Sequence, residues 1–227
     1  MMGALPYHQH NRPAQATFAG WTIRMPGTYT ELEYLESTGT QYIDTGIKAD
    51  QNVNINVKAK VWVSSGHSVE HDFIGTHYAT GAPDTFVFGA YGEYIFVFNK
   101  DLQNQLGSMT ITNAFNTPVY VEATFYPNDG VIQETVGQTT RTFSGSAYTL
   151  SNNTNIAIFA RGMHPTIPMP FYGRIYYLQL TINNNVVGNF IPARRNSDGV
   201  LGMYNTITQT FLTNVGTGTF IPGPAVQ

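Results

Sequence analysis

The stretch from Phe171 to Pro222 determines the predicted fold: FYGRIYYLQLTINNNVVGNFIPARRNSDGVLGMYNTITQTFLTNVGTGTFIP. The apolar residues between Ile175 and Leu180 predict a strand. Asn183-Asn184-Asn185 predicts a tight turn, because asparagine tolerates the left-handed backbone that such turns need. Residues 186–191 then predict the returning strand, which pairs with the first. The pattern therefore begins with a hairpin.

A second turn follows at Ser197-Asp198-Gly199, where Asp-Gly supplies the positive φ of a tight turn. Two more short strands are predicted over residues 200–204 and 209–212. Glycines at 216, 218 and 223 then end the regular structure. The whole stretch is a meander of short antiparallel strands.

The same pattern extends through the rest of the chain. Residues 53–63 alternate strictly, with valine, isoleucine and alanine at the odd positions and mostly polar residues at the even ones. Further strands are predicted over 72–75, 85–90, 94–99, 118–125, 130–136, 141–143 and 155–160. No segment has a helical period, and no linker divides the domain. These features predict an all-β sandwich of two antiparallel sheets.

Two stretches carry a resemblance to a known family. The first is LEYLESTGTQYIDTG over residues 32–46. The second lies in the closing strands, at Phe190, Pro192, Ala193, Asn196, Ser197, Asp198, Gly199, Gly202, Met203, Tyr204, Phe211, Asn214, Gly216, Gly218 and Phe220. With these residues the chain resembles the concanavalin A-like (laminin-G-like) jelly-roll modules of gut bacterial surface proteins and phage virion proteins. The resemblance covers roughly residues 31–222 and implies a jelly roll; lectins, hydrolases and structural modules share this fold.

The composition excludes several classes of protein. Only 11% of the residues are charged and the net charge is −3, so nothing indicates nucleic-acid binding. No window is apolar for long enough to cross a membrane. Cysteine is absent, which leaves the redox compartment open. The first ten residues lack the basic start and apolar core of a signal peptide, which favours a virion protein over an exported one.

The first thirty residues differ from the rest, because they contain two arginines and no acidic residue. Six prolines and glycines interrupt any periodicity there. We predict an extended docking arm over residues 1–30 and a jelly-roll domain over residues 31–227. The predicted contact residues are Arg12, Phe18, Trp21, Ile23 and Arg24. The alternatives are a flexible terminus and an extra edge strand on the same sandwich.

Two patterns resemble catalytic motifs. Glu31, Glu33 and Glu36 follow E-x-E-x-x-E, close to the E-x-D-x-x-E of laminarinase-like glycosidases on this fold, but they stand at the start of the domain. His67-Ser68-Val69-Glu70-His71 spells the zinc motif H-x-x-E-H, which requires a helix that the flanking residues do not predict. We therefore expect no enzyme activity, no metal and no cofactor.

Aromatic residues make up 13% of the chain, and several are predicted in loops or at strand ends. Sugar-binding faces use such rings, because the apolar face of a pyranose stacks on them. The candidate glycan contacts are Trp62, Tyr78, Tyr91 and Tyr94. The alternative for each residue is ordinary packing in a tyrosine-rich sandwich.

These features predict a phage virion structural protein: a head fibre, a capsid decoration protein or a tail-associated adhesin. Its lectin-like domain is expected to bind host-surface or mucosal glycans, and its arm to bind another virion protein or a second copy, which makes a homo-oligomer. The alternatives are a non-catalytic carbohydrate-binding module of a bacterial cell-surface protein and, more remotely, a glycoside hydrolase.

Overall fold

A computed structural model describes residues 25–49, 53–67, 70–78, 86–91, 94–99, 108–110, 117–147, 154–164 and 169–227. Within these ranges the chain forms eighteen strands and one short 3-10 helix over Pro127–Asp129. The all-β prediction is therefore confirmed. None of the described residues forms a helix that is long and apolar enough to cross a membrane.

The larger sheet has eleven strands. Its strands are β1 Tyr29–Glu31, β2 Leu35–Thr38, β4 Ile55–Val63, β9 Val119–Tyr126, β10 Val131–Val136, β11 Thr139–Ser144, β14 Tyr172–Ile182, β15 Asn185–Arg195, β16 Leu201–Asn205, β17 Thr210–Thr213 and β18 Ile221–Pro222. The main order is β11-β10-β9-β4-β14-β15-β16-β17. β2 lies beside the first half of β14 and is itself paired with β18, while β1 lies beside β15.

The smaller sheet has seven strands. They are β3 Ile43–Lys48, β5 Glu70–Tyr78, β6 Phe86–Tyr91, β7 Tyr94–Asn99, β8 Ser108–Thr110, β12 Asn155–Ile158 and β13 Arg161–His164. The order is β3-β12-β5-β6-β7-β8. β13 pairs with β5 in parallel, and the other strand pairs of both sheets are antiparallel.

The two sheets share one core. On β4 the alternation that predicted a strand buries Val57, Ala59 and Val61, and leaves the even-numbered residues on the outer face. The core joins both sheets directly: the rings of Phe86 on β6 and Phe125 on β9 lie 5.3 Å apart. Burial of large aromatic and aliphatic side chains between the sheets is the main stabilising term of such a sandwich.

The predicted turns are also confirmed. Asn183 and Asn184 have φ values of 46° and 65°, so the β14–β15 hairpin closes through two left-handed residues. Gly199, which follows Asp198, has a φ value of 74°. In each case the residue that supplies the positive φ was visible in the sequence.

The last residues of the predicted arm lie in the sandwich. Tyr29 and Thr30 pair with Arg195 and Arg194 of β15, and the Asn196 side chain donates a hydrogen bond to the Gly27 carbonyl over 3.0 Å. The described domain thus begins before residue 31. Arg12, Phe18, Trp21, Ile23 and Arg24 lie outside the described residues, so the docking arm remains a prediction.

Candidate functional site

Tyr91 and Tyr94 stand side by side on the outer face of the smaller sheet. Tyr91 ends β6, Tyr94 begins β7, and the two residues are direct cross-strand partners. Directly opposed residues share a face of the sheet. Their neighbours Ala90 and Ile95 point into the core, so both rings point away from it. The residues are 51% and 43% exposed, an unusual exposure for two adjacent large rings.

A carboxylate extends this pair into a row across three strands. Glu70 begins β5 and is the direct partner of Tyr91 on the side away from Tyr94. Glu70, Tyr91 and Tyr94 therefore lie on one face, one after another. The Glu70 side chain is 22% exposed, whereas its Oε1 atom is buried.

Arg161 forms an ion pair with this carboxyl group. Its Nη1 lies 3.1 Å from Glu70 Oε1, and its Nε lies 3.2 Å from Asp72 Oδ2. The Arg161 side chain is only 3% exposed and Asp72 is completely buried. Arg161 comes from β13, whose parallel pairing sets it opposite Gly75 of β5. One guanidinium thus bridges two carboxyls that stand two residues apart on the same face of β5.

Gly89 makes room for this cluster. It is the cross-strand partner of Asp72 on β6, and a Cβ at this position would collide with Asp72 Oδ1. The same Cβ would lie 2.9 Å from the His71 carbonyl oxygen and 3.0 Å from the Phe96 ring. A side chain at position 89 would therefore displace the buried carboxyl, so the cluster depends on glycine here.

The electrostatics of the cluster follow from its burial. Burial raises the pKa of Asp72 well above its usual range; the Arg161 charge opposes the shift and the Glu70 charge adds to it. Burial also raises the pKa of Glu70, again opposed by Arg161. A buried charge is costly even when it is paired. The two carboxyls consequently hold a proton more tightly than isolated carboxyls do.

The H-x-x-E-H motif is divided between two faces of the smaller sheet. Glu70 and His71 begin a strand rather than a helix, so Glu70 points outward while His71 stacks on Phe171 in the core, with ring centroids 5.5 Å apart. Burial, reinforced by the nearby His67, lowers the pKa of His71 to about 4, which keeps it neutral. Glu70 and His71 therefore do not lie on the helix that this zinc motif requires. The described residues contain no group of three or more potential metal ligands.

Trp62 lies away from the tyrosines, on the outer face of the larger sheet. The Arg174 guanidinium lies 4.5 Å from the centre of the Trp62 ring and 4.4 Å from that of Tyr34. Arg174 Nε donates a hydrogen bond to Glu36 Oε2 over 2.6 Å. Trp62 is therefore part of a stacked cation–aromatic cluster. The sequence did not show that it belongs to a different sheet from Tyr91 and Tyr94.

The remaining candidates have separate positions. Glu31 ends β1, Glu33 is exposed in the connection to β2, and Glu36 is held by Arg174. Tyr78 ends β5, but its side chain lies outside the described residues. Sequence reasoning missed Asp72, Gly89 and Arg161. The available signal was two acidic residues at alternate positions, Glu70 just before the strand predicted over 72–75 and Asp72 at its start, in a chain where only 11% of residues are charged.

No protein-family model matches the sequence, and no curated protein matches it. Solved structures do match the fold. A proposed carbohydrate-binding protein from Bacteroides ovatus superposes with a TM-score of 0.55 at 11% identity, covering 86% of this chain and 61% of that one. The chain thus spans about three fifths of that protein. The CBM40 of the Ruminococcus gnavus IT-sialidase, bound to α2,3-sialyllactose, superposes with a TM-score of 0.52 at 12% identity, covering 68% and 91%.

A heptameric SAP-like pentraxin from Limulus polyphemus matches over 87% of this chain and 94% of its own, with a TM-score of 0.50 and 9% identity. The chain has a lectin-like jelly-roll fold. At these identities the likeness concerns the fold alone. The site described above therefore rests on its own residues.

Proposed function

We propose that the chain is a non-catalytic carbohydrate-binding module. Tyr91 and Tyr94 stack on a pyranose ring, and Glu70 accepts hydrogen bonds from its hydroxyls. The observation that carries the proposal is the row of two exposed rings and one anchored carboxylate on a single face. Such sites combine an apolar surface with a few fixed polar groups. The fold likeness to proteins whose names refer to carbohydrate binding supports the proposal.

The burial of the cluster supports binding over hydrolysis. A retaining glycosidase needs two carboxyls that both reach the substrate, about 5–5.5 Å apart. Asp72 is completely buried and paired with Arg161, so Glu70 is the one acidic side chain of this cluster that is partly exposed. We therefore expect no release of reducing sugar from any polysaccharide that the protein binds.

The experiment is a glycan array probed with the protein displayed multivalently, because single-site lectin affinities are low. Tyr91→Ala and Tyr94→Ala should each reduce the signal at least roughly tenfold, as the loss of a stacked ring predicts. Tyr126→Ala is the matched control, since Tyr126 ends a strand of the other sheet. Binding that survives both site variants, or the absence of any glycan signal, would contradict the proposal.

The setting that we propose is the surface of a virion, with the bacterial cell surface as the alternative. The N-terminal segment supports it: it has no acidic residue, and its prolines and glycines suit an extended path along a partner. A second copy or another virion protein would be that partner. Deletion of residues 1–24 tests this, because residues 27–30 belong to the sandwich. The truncated protein should keep its fold and lose assembly; unchanged assembly would exclude a docking role for the segment.

A further inference from the structure

The charges around Tyr91 and Tyr94 carry information about the ligand. The Glu70 side chain is partly exposed, whereas the guanidinium that could recognise an acidic sugar is almost fully buried. Arg161 is almost fully buried, and its side chain already contacts Glu70 and Asp72. Of the two opposite charges of this ion pair, Glu70 lies nearer to solvent than Arg161 does. In its ionised form Glu70 therefore presents a negative charge to a ligand beside the rings.

Other cations lie elsewhere among the described residues. In the smaller sheet, Lys48 on β3 is the one other described lysine or arginine, and two strands, β12 and β5, separate β3 from β6. Lys58, Lys60, Arg141, Arg174, Arg194 and Arg195 all lie on strands of the larger sheet. Within the described part of the chain, none of the strands adjoining Tyr91 supplies a solvent-facing positive charge to offset Glu70.

We infer that the Tyr91–Tyr94 site selects uncharged pyranose sugars with free hydroxyls and discriminates against sialylated, sulfated or uronic-acid sugars. This inference rests on the proposed function. An ionised carboxylate only accepts hydrogen bonds, so it pairs well with a sugar hydroxyl, which can donate one. Facing a ligand carboxylate or sulfate, the same group repels it and has no proton to donate. Specificity of this kind comes from a repulsive element as much as from an attractive one.

The rigidity of Glu70 strengthens the discrimination. A free glutamate side chain would rotate away from an acidic ligand at little cost, because its rotamers are close in energy. Here Arg161 Nη1 holds the carboxylate at 3.1 Å, and the backbone of Glu70 is paired with Tyr91. An anionic ligand that approaches the rings is therefore repelled by Glu70 in its ionised form. For two unit charges roughly 3–6 Å apart and screened as in bulk water, the repulsion lowers affinity roughly three- to tenfold.

The test is an array that presents neutral glycans beside their sialylated, sulfated and uronic-acid counterparts on the same carrier. The wild type should bind the neutral member of each pair roughly three- to tenfold better. Glu70→Gln keeps the shape of the side chain and removes its charge, so it should reduce the ratio of neutral to acidic glycan binding. Glu33→Gln makes the same change of charge at an exposed position in the connection from β1 to β2 and should leave the ratio unaltered.

A second measurement does not depend on a variant. Added salt should raise the binding of the acidic members and leave the neutral members nearly unchanged, because salt screens the repulsion. Equal binding of both members, or better binding of the acidic ones, would overturn the inference while the proposed function stands. No binding to any glycan would overturn both. Binding that Tyr91→Ala leaves intact would assign the sugar to another surface and refute the inference for this site.

Discussion

Glu134 is a carboxyl group on the core-facing side of β10, between Ile132 and Val136. The residue is 0% exposed, and neither carboxylate oxygen has a hydrogen-bond partner in the described part of the chain. Arg141, its cross-strand neighbour on β11, gives partial compensation. A buried polar group in such a position is costly in its charged form. Relative to the wild type, the Glu134→Gln variant should therefore be more stable at high pH than at low pH.

The magnitude follows from the pKa. Burial, opposed by Arg141, raises the pKa of Glu134 from 4.5 to about 7. Each unit corresponds to about 1.4 kcal/mol, so this group costs about 3 kcal/mol of unfolding free energy at pH 8 relative to pH 4. The folded state binds the proton more tightly than the unfolded state does. Stability therefore falls as the pH rises from about 4.5 to about 7, and this contribution is constant above that range.

The assay is urea unfolding of the wild type and Glu134→Gln at pH values from 4 to 8. The difference in unfolding free energy between the two proteins should shift by about 3 kcal/mol in favour of the variant across this range. Its absolute value also includes the buried amide, so the change with pH is the measured quantity. Parallel pH profiles of the two proteins would refute the reasoning.

Glu122 is a control of opposite sign on the neighbouring strand β9. Burial alone would raise its pKa, but hydrogen bonds from Tyr120 and Asn56 and the charge of Lys58 outweigh burial and lower it. Glu122→Gln should therefore destabilise the protein at neutral pH. That loss should fade as the pH falls below the ordinary range of a carboxyl group. The gain from Glu134→Gln should instead appear as the pH rises from about 4.5 to about 7.

Two further substitutions test the packing of the two outer faces. Gly89→Ala should lower the unfolding free energy by roughly 1–3 kcal/mol and weaken glycan binding, because the added methyl group collides with Asp72. Thermal melting measures the first effect and the glycan array measures the second. The control is Gly27→Ala, which should change neither quantity, since no atom lies within 4 Å of its added methyl group. Arg174→Lys should cost roughly 1 kcal/mol and alter the fluorescence of Trp62, because lysine keeps the charge and loses the planar stack. An unchanged spectrum and unchanged stability would show that the stack is unimportant.

The strands of this protein could be predicted because local rules determine them. The alternation over residues 53–63 corresponds to β4, and its buried positions are the odd-numbered residues that the pattern indicates. The asparagines of the β14–β15 turn adopt the left-handed backbone expected of them. Both signals depend on side-chain direction and steric freedom within a few residues.

The candidate site could be predicted only in part. Tyr91 and Tyr94 were found because they flank a turn, and cross-strand partners at a hairpin share a face. Trp62 was grouped with them because the period shows which residues face outward but not which sheet they belong to. Arg161 reaches Asp72 across 89 positions of sequence, through a parallel pairing of β13 with β5. No local pattern specifies such a partner.

The buried cluster is an unusual use of charge in a chain with so few charged residues. A buried ion pair often contributes little net stability, since apolar residues of similar volume can replace it without loss. Stability alone therefore gives weak grounds for the buried pair of Arg161 and Asp72 on the same face as the exposed tyrosines. What the arrangement does provide is position: Asp72 holds the guanidinium of Arg161, the guanidinium holds Glu70, and the partly exposed Glu70 side chain lies beside Tyr91. Preorganised groups of this kind lower the entropy cost of binding. The cost of the cluster is thus most readily explained by a ligand on this face.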